Sequence, residues 1–274
     1  MHWLPLVASF LVAAAIAPSV VRSLPVRENY RGARLAFPIG VLIVVAAFIA
    51  LIALGPLFTF VDVDVLPLDT GLALFFVPGV AILGLLDDVF GSREGQPRGW
   101  RGHARALAAG QVSTGVIKAA GTLGLAFAVM VEPEGDAWKY FVGVAVLVLA
   151  THLFNLLDLR PGRSAKALAL LGLGLTLGSW NADPFFSVSL FIGPILVLVR
   201  LELQELGMLG DTGSGAIGAI AGLWLVLTLS TTGQAIAAAV MALITVYGEF
   251  RSISEFVERT PGLRQLDSLG RSHA

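Results

Sequence analysis

Apolar stretches of roughly 15–25 residues, separated by short polar segments, run along almost the whole chain, and crossing a bilayer as a helix takes about 20 such residues. The pattern predicts nine spans, at about 3–21, 37–61, 70–86, 112–131, 139–156, 166–182, 184–201, 213–229 and 234–248. Trp180 to Pro184 must form a tight turn between two of them. Composition agrees: 56% of the 274 residues are hydrophobic and 14% are charged, against about 25% charged in soluble domains. The sequence contains no separate soluble domain, low-complexity tract or convincing repeat. The expected fold is therefore an all-α polytopic membrane bundle, one domain over 1–274.

Charge orients the bundle. On this topology 17 of the 18 Lys and Arg fall on one side, within 22–36, 93–118, 160–166, at 200 and within 251–271, while Lys139 falls on the other. Basic residues near span ends favour the cytoplasm, so the N-terminus is expected outside and the C-terminus inside. Cytoplasmic segments are then 22–36, 87–111, 157–165 and 202–212, with a tail at 249–274. The opposite loops carry Asp62, Asp64, Asp69, Glu132, Glu134, Asp136 and Asp183. The first apolar stretch lacks a basic leader and is followed by Arg22, Arg27, Arg31 and Arg34, the pattern of a retained anchor. With no cysteine, disulfides and thiolate chemistry are excluded.

Three acidic motifs fall at the cytoplasmic ends of spans. "LLDDVFG" places Asp87 and Asp88 after the third span, "NLLDLRPGR" places Asp158 after the fifth, and "GDTGSGAIG" places Asp211 before the eighth. Carboxylates at membrane depth are costly and mark function. Asn155 and Asp158 are i and i+3, neighbours on one helical face, so an amide oxygen and a carboxylate can face one cation. Mg²⁺ suits such oxygens, being held by one or two carboxylates, waters and substrate phosphates. Asp211 through Gly215 reads as a flexible turn entering a helix, whose free N–H groups suit an anion, with Ser214 as a phosphate contact. Arg160, Arg163 and Lys166 follow Asp158. Together the motifs describe a site for a metal and a diphosphate.

Each piece also has a plainer reading. An acid pair at a helix end is more often a solvated terminus, and the basic run can serve orientation alone. Gly218 and Gly222 have the spacing of a close helix contact. "GDTGSG" lacks the ending of a phosphate-binding Walker loop. His152 is expected inside the fifth span, satisfying a buried hydrogen bond.

The order of the motifs, together with the basic "ENYRGARLAFPIG" at 28–40, resembles the polyprenyl-phosphate N-acetylhexosamine-1-phosphate transferase superfamily, which includes the bacterial enzymes MraY and WecA. The resemblance spans about 22–271 through short matches. It implies transfer of a sugar 1-phosphate from a UDP-sugar to a polyprenyl phosphate such as undecaprenyl phosphate, with Mg²⁺ (or Mn²⁺) and release of UMP, in cell-wall or surface-glycan synthesis at a bacterial-type inner membrane. It further implies that Asp87 deprotonates or positions the lipid phosphate beside a supporting Asp88. Asp158 is a further catalytic acid, and Asn155 and Asp211 bind metal. Arg160, Arg163 and Lys118, in that order, are the candidate phosphate-binding bases, and the resemblance together with the Gly-rich span surfaces implies a homodimer.

The chain also departs from that family. Many members continue the third motif as "NLxDGxDGLA", whereas here Arg160 and Pro161 follow "NLLDL". The last cytoplasmic segment has no histidine before His273; Arg251, Arg259, Arg264 and Arg271 can stand in electrostatically or rest on anionic lipid. A tenth span common in the family is missing. Two other classes stay open on sequence alone: a transporter or flippase, and a non-catalytic protein that binds lipid phosphate.

Overall fold

The computed structural model describes residues 2–60, 66–67, 69–91, 99–132 and 135–271. Asp62, Asp64 and Glu134 of the outward set, Arg93 and Arg98 of the inward set, and His273 lie outside the described residues. In chain order the elements are α1 (Leu4–Ser23), the strands β1 (Val26–Glu28) and β2 (Arg34–Ala36), α2 (Val41–Phe60), α3 (Thr70–Phe90), α4 (Gly99–Ala108), α5 (Thr114–Val129) and α6 (Ala137–Leu157). Then follow α7 (Arg163–Ser179), α8 (Asp183–Leu203), α9 (Gly210–Thr228), α10 (Thr231–Phe250), α11 (Ile253–Arg259) and α12 (Pro261–Ser268). A helix covers each of the nine apolar stretches. Six of them, α1, α3, α6, α8, α9 and α10, are long and apolar enough to cross a membrane.

Local sequence sets several of the helix ends. Ser113, Asp136 and Ser230 cap α5, α6 and α10, each side-chain oxygen accepting a backbone N–H three residues on, as N-cap residues do. The nine stretches were the legible part. The hairpin, α4 and the tail helices α11 and α12 have no long apolar run to announce them.

Helix α9 forms the centre of the bundle. Every residue from Thr212 to Leu225 is buried, with α3 and α6 as its principal neighbours. Small residues make this possible. A Cβ on Gly218 would meet Thr151 Cα at 2.6 Å, and one on Gly222 would meet Leu147 Cα at 3.2 Å, so the pair serves close packing as its spacing predicts.

The hairpin stitches two loops together at the end of the bundle where α3 ends and α9 begins. Arg27 pairs with Leu35 within it, and beyond it Met208 N–H donates to Ala36 O, Ile39 N–H to Met208 O and Gly40 N–H to Leu209 O, at 2.9, 2.9 and 3.0 Å. The entry to α2 and the entry to α9 are thereby held side by side. At the opposite end, Trp3 packs against Phe185 and Phe186 and Phe127 stacks on Tyr140, the aromatic belt expected near a membrane interface.

Candidate active site

Four helices meet at the hairpin end. Lys118, in the first turns of α5, lies between two carboxylates: its Nζ is 3.0 Å from Asp87 Oδ2 on α3 and 2.6 Å from Asp211 Oδ2 on α9. Asn155, near the end of α6, completes the group. In the orientation that satisfies all its neighbours, its Nδ2 donates to Asp211 Oδ1 at 2.7 Å and to Ser214 Oγ at 2.9 Å, and its Oδ1 accepts from Lys118 Nζ at 3.3 Å. The Thr114 hydroxyl hydrogen-bonds to Asp87. Asp87 and Asp211 keep 18% and 32% of their side-chain surface accessible, so a ligand can reach both. A cavity of about 110 Å³ adjoins them, with Lys118, Asn155 and Asp211 at its polar end and Val80, Thr122 and Val148 along its walls.

Two devices place Asp211 beside Asp87. Gly84, one turn before the acid pair, lies against the start of α9: a Cβ there would meet Asp211 O at 2.3 Å. Asp88 then fixes the approach. Its Oδ1 accepts the Asp211 N–H at 2.9 Å, and its Oδ2 accepts the Thr212 N–H at 2.8 Å and the Thr212 hydroxyl at 2.6 Å. A carboxylate is thus the cap of a helix 123 residues later in the chain, favoured by the positive end of the helix dipole. Arg27 in turn donates to the Asp88 backbone oxygen, and its guanidinium lies 4.3 Å from the centre of the Phe37 ring.

These contacts revise several sequence expectations. Asp88, expected as a catalytic acid, is buried and engaged in capping α9. The flexible turn expected at 211–215 is already helix, since α9 begins at Gly210, and the first N–H groups expected for an anion are taken by Asp88. Ser214 is fully buried against Asn155, out of reach of a phosphate. His152 lies within α6, the fifth apolar stretch, as expected, but its side chain is exposed and lines the small cavity rather than sitting in the interior.

Asp158 and Arg160 face a second cleft of about 270 Å³, bounded also by Glu28, Tyr30, Glu202 and Met208. Asp158 sits just beyond α6 as its C-cap. Burial pushes its carboxyl well above the usual range, the charges of Glu202, Asp211 and Asp88 act in the same direction, and Arg163 opposes them. Arg160 stacks 4.1 Å from the centre of the Tyr30 ring and pairs with Glu258 at 2.9 Å. Among the described residues, no hydrogen bond or ion pair joins Arg160 to the Lys118 cluster.

Arg163, the second candidate phosphate base, is committed elsewhere. It is buried, with Nε and Nη2 on the two oxygens of Asp267 at 2.8 and 3.0 Å and Nη1 on Ser254 Oγ at 3.0 Å. Lys166 donates to the Asp267 backbone oxygen, Arg271 donates to Pro161 O, and a bidentate Arg–carboxylate pair is geometrically strict. The set straps α11 and α12 to the loop that carries Asp158 and Arg160. Tyr30, Thr114, Thr212, Glu202 and Asp267 were missed in the sequence because each acquires its role from a partner remote in the chain.

Asp87 Oδ2, Asp211 Oδ2 and Asn155 Oδ1 face a common point. Among the described residues no group of three His, Cys, Asp or Glu side chains could hold a metal ion, but two carboxylates and an amide oxygen do fit Mg²⁺, which retains waters and takes further oxygens from phosphates. Compared with known proteins, the chain matches no family model and no curated sequence.

Proposed function

We propose that the chain is a divergent polyprenyl-phosphate sugar-1-phosphate transferase, spanning the membrane nine times with the N-terminus outside and the Asp87–Asp211 end in the cytoplasm. The observation that carries this reading is the convergence of Asp87, Lys118, Asn155 and Asp211, from four helices, at one end of the bundle. A transporter site tends to lie near the bilayer midplane; a site at one face suits joining a membrane lipid to a water-soluble donor.

In this reading the small cavity under Lys118 admits the first apolar part of the lipid, leaving its phosphate beside Asp87. Asp87 takes a proton from that phosphate or orients it, and a phosphate oxygen attacks the β-phosphorus of the UDP-sugar. The bond from that phosphorus to the bridging oxygen breaks, and UMP departs with the oxygen. Bound Mg²⁺ would offset charge on the diphosphate, held by Asp211, Asn155 and Asp87. Lys118 supplies positive charge to the same phosphates. The second cleft, with Arg160 laid on Tyr30 and Asp158 beside it, offers a stacking surface and polar contacts to the rest of the donor.

The test is UMP release by detergent-purified protein given undecaprenyl phosphate, Mg²⁺ and a panel of UDP-sugars. Release with one donor, lost in Asp87→Asn and Asp211→Asn, supports the transferase. A folded protein that binds lipid phosphate but releases no UMP with any donor overturns it in favour of a non-catalytic relative.

A further inference from the structure

The position that best suits a divalent cation is held by a side chain of the protein. Lys118 Nζ sits 3.0 Å from Asp87 Oδ2, 2.6 Å from Asp211 Oδ2 and 3.3 Å from Asn155 Oδ1, the three oxygens assigned above to the metal. An ammonium and a divalent ion cannot share that point, because both need the same oxygens and like charges at such separation repel strongly in a site shielded from water. The geometry also limits where the ammonium can go. Lys118 is 21% exposed and lies at the polar mouth of the cavity beside Asp211, so its four-carbon stem can carry the charge off the carboxylates toward that mouth, where the oxygens of a phosphate beside Asp87 would receive it.

We propose that Lys118 is a tethered counter-ion that holds Asp87 and Asp211 together until a divalent cation displaces it, and that the displaced ammonium becomes a contact for substrate phosphate. This rests on the metal-dependent reading of the site. It adds two consequences. In the empty protein Lys118 weakens metal binding, since every loading event must break two ion pairs. Anion and metal then assist each other: a phosphate beside Asp87 stabilises the displaced ammonium and so favours loading. Without Lys118 the pair of acids would face one another unscreened; with it, one of the two negative charges is balanced between turnovers.

The experiment uses the full-length protein in detergent and the metal alone. Mn²⁺ binding is measured by electron paramagnetic resonance for wild type, Lys118→Met and Asp211→Asn. Lys118→Met is expected to bind Mn²⁺ about tenfold more tightly than wild type, as removal of a competing like charge requires, and Asp211→Asn to lose the site. Equal or weaker binding by Lys118→Met overturns the proposal. Because that variant leaves two carboxylates facing each other and can fail to fold, a second measurement uses the wild type. An amine-acylating reagent is applied with EDTA or with Mg²⁺, and modification of each of the three lysines, Lys118, Lys139 and Lys166, is read by mass spectrometry. Lys118 is expected to be slow in EDTA and several-fold faster in Mg²⁺, with Lys139 unchanged. No metal-dependent change at Lys118 overturns the proposal. Tighter Mn²⁺ binding by Lys118→Met in a protein that releases no UMP sinks the transferase alone, while UMP release with unchanged Mn²⁺ affinity sinks only the role of Lys118.

Discussion

Asp88 and Thr212, separated by 124 positions in the chain, are joined through both the backbone N–H and the hydroxyl of the threonine, at 2.8 and 2.6 Å. The carboxylate therefore acts as the cap of a helix it does not belong to. Asp88→Ala leaves buried N–H groups of α9 unpartnered, which for a lost cap costs about 2 kcal/mol. Thermal unfolding in detergent should fall by about 4–8 °C, and Thr212→Val should fall by less, because it keeps the backbone bond. An Asp88→Ala protein with unchanged melting but no turnover would return Asp88 to the chemistry.

Gly84 and Gly174 make a contrasting pair. A methyl at Gly84 would strike the Asp211 carbonyl at 2.3 Å, whereas nothing lies within 4 Å of one at Gly174. Gly84→Ala should destabilise by about 1–3 kcal/mol through overpacking and reduce UMP release more than its stability loss explains, because it moves Asp211 away from Asp87. Gly174→Ala should be neutral or stabilising by up to about 1 kcal/mol. Equal behaviour of the two, in denaturant titrations and turnover, would contradict the close approach of α3 and α9.

Acid should release the tail. Burial raises the Asp267 carboxyl, but its hydrogen bonds to Arg163 and the charges of Arg163 and Arg271 outweigh that and leave it below the usual range. A carboxylate depressed in the folded state stabilises fully above its unfolded value, about 3.9, and that contribution disappears as pH falls through the lower folded value. Pepsin cleavage within 251–271 should rise as pH drops below about 4. Asp267→Asn should expose the same segment to trypsin at neutral pH. Protection that is unchanged in the variant would show that other contacts hold the tail.

Arg160 and Arg163, adjacent in motif and alike in charge, should part in their effects. Arg160→Ala removes the stack on Tyr30 and should raise the donor KM by about tenfold, the scale of a cation–π contact with an ion pair; Arg160→Lys should restore the charge but only part of the KM. Arg163→Ala should instead loosen the tail and lower stability, because its guanidinium is buried on Asp267. UMP-release kinetics alongside thermal melting separate the two.

How far the sequence was legible follows the range of the interactions. Nine helical stretches were readable because each rests on a run of apolar residues, and Asp87, Asn155, Asp211 and Lys118 stood out because polar groups at membrane depth are rare; that they meet at one point is visible only in the fold. Asp88, Ser214 and Arg163 were misassigned for one shared reason. Each looks available in its own motif, and each is consumed by a partner from elsewhere: Thr212 on α9, Asn155 on α6, Asp267 on α12. The start of α9 shows the same effect, since a glycine-rich run reads as a turn until a distant carboxylate caps it as helix.

The long reach from Asp88 to the start of α9 has a consequence for biosynthesis. At about 5–20 residues per second, a ribosome needs about 6–25 s to extend the chain by the 124 positions that separate Asp88 from Thr212. Lys118, the partner of Asp87, is made early in that interval on α5, but the groups of α9 that Asp88 caps are not yet made. Both acids lie in the last turn of α3, at the water-facing edge where a nascent helix can wait with them hydrated. The α3 end is then completed by the arrival of α9, which brings Asp211 beside Asp87 and draws Asp88 out of water, so a chain that stops short of α9 leaves Asp88 without the helix it caps.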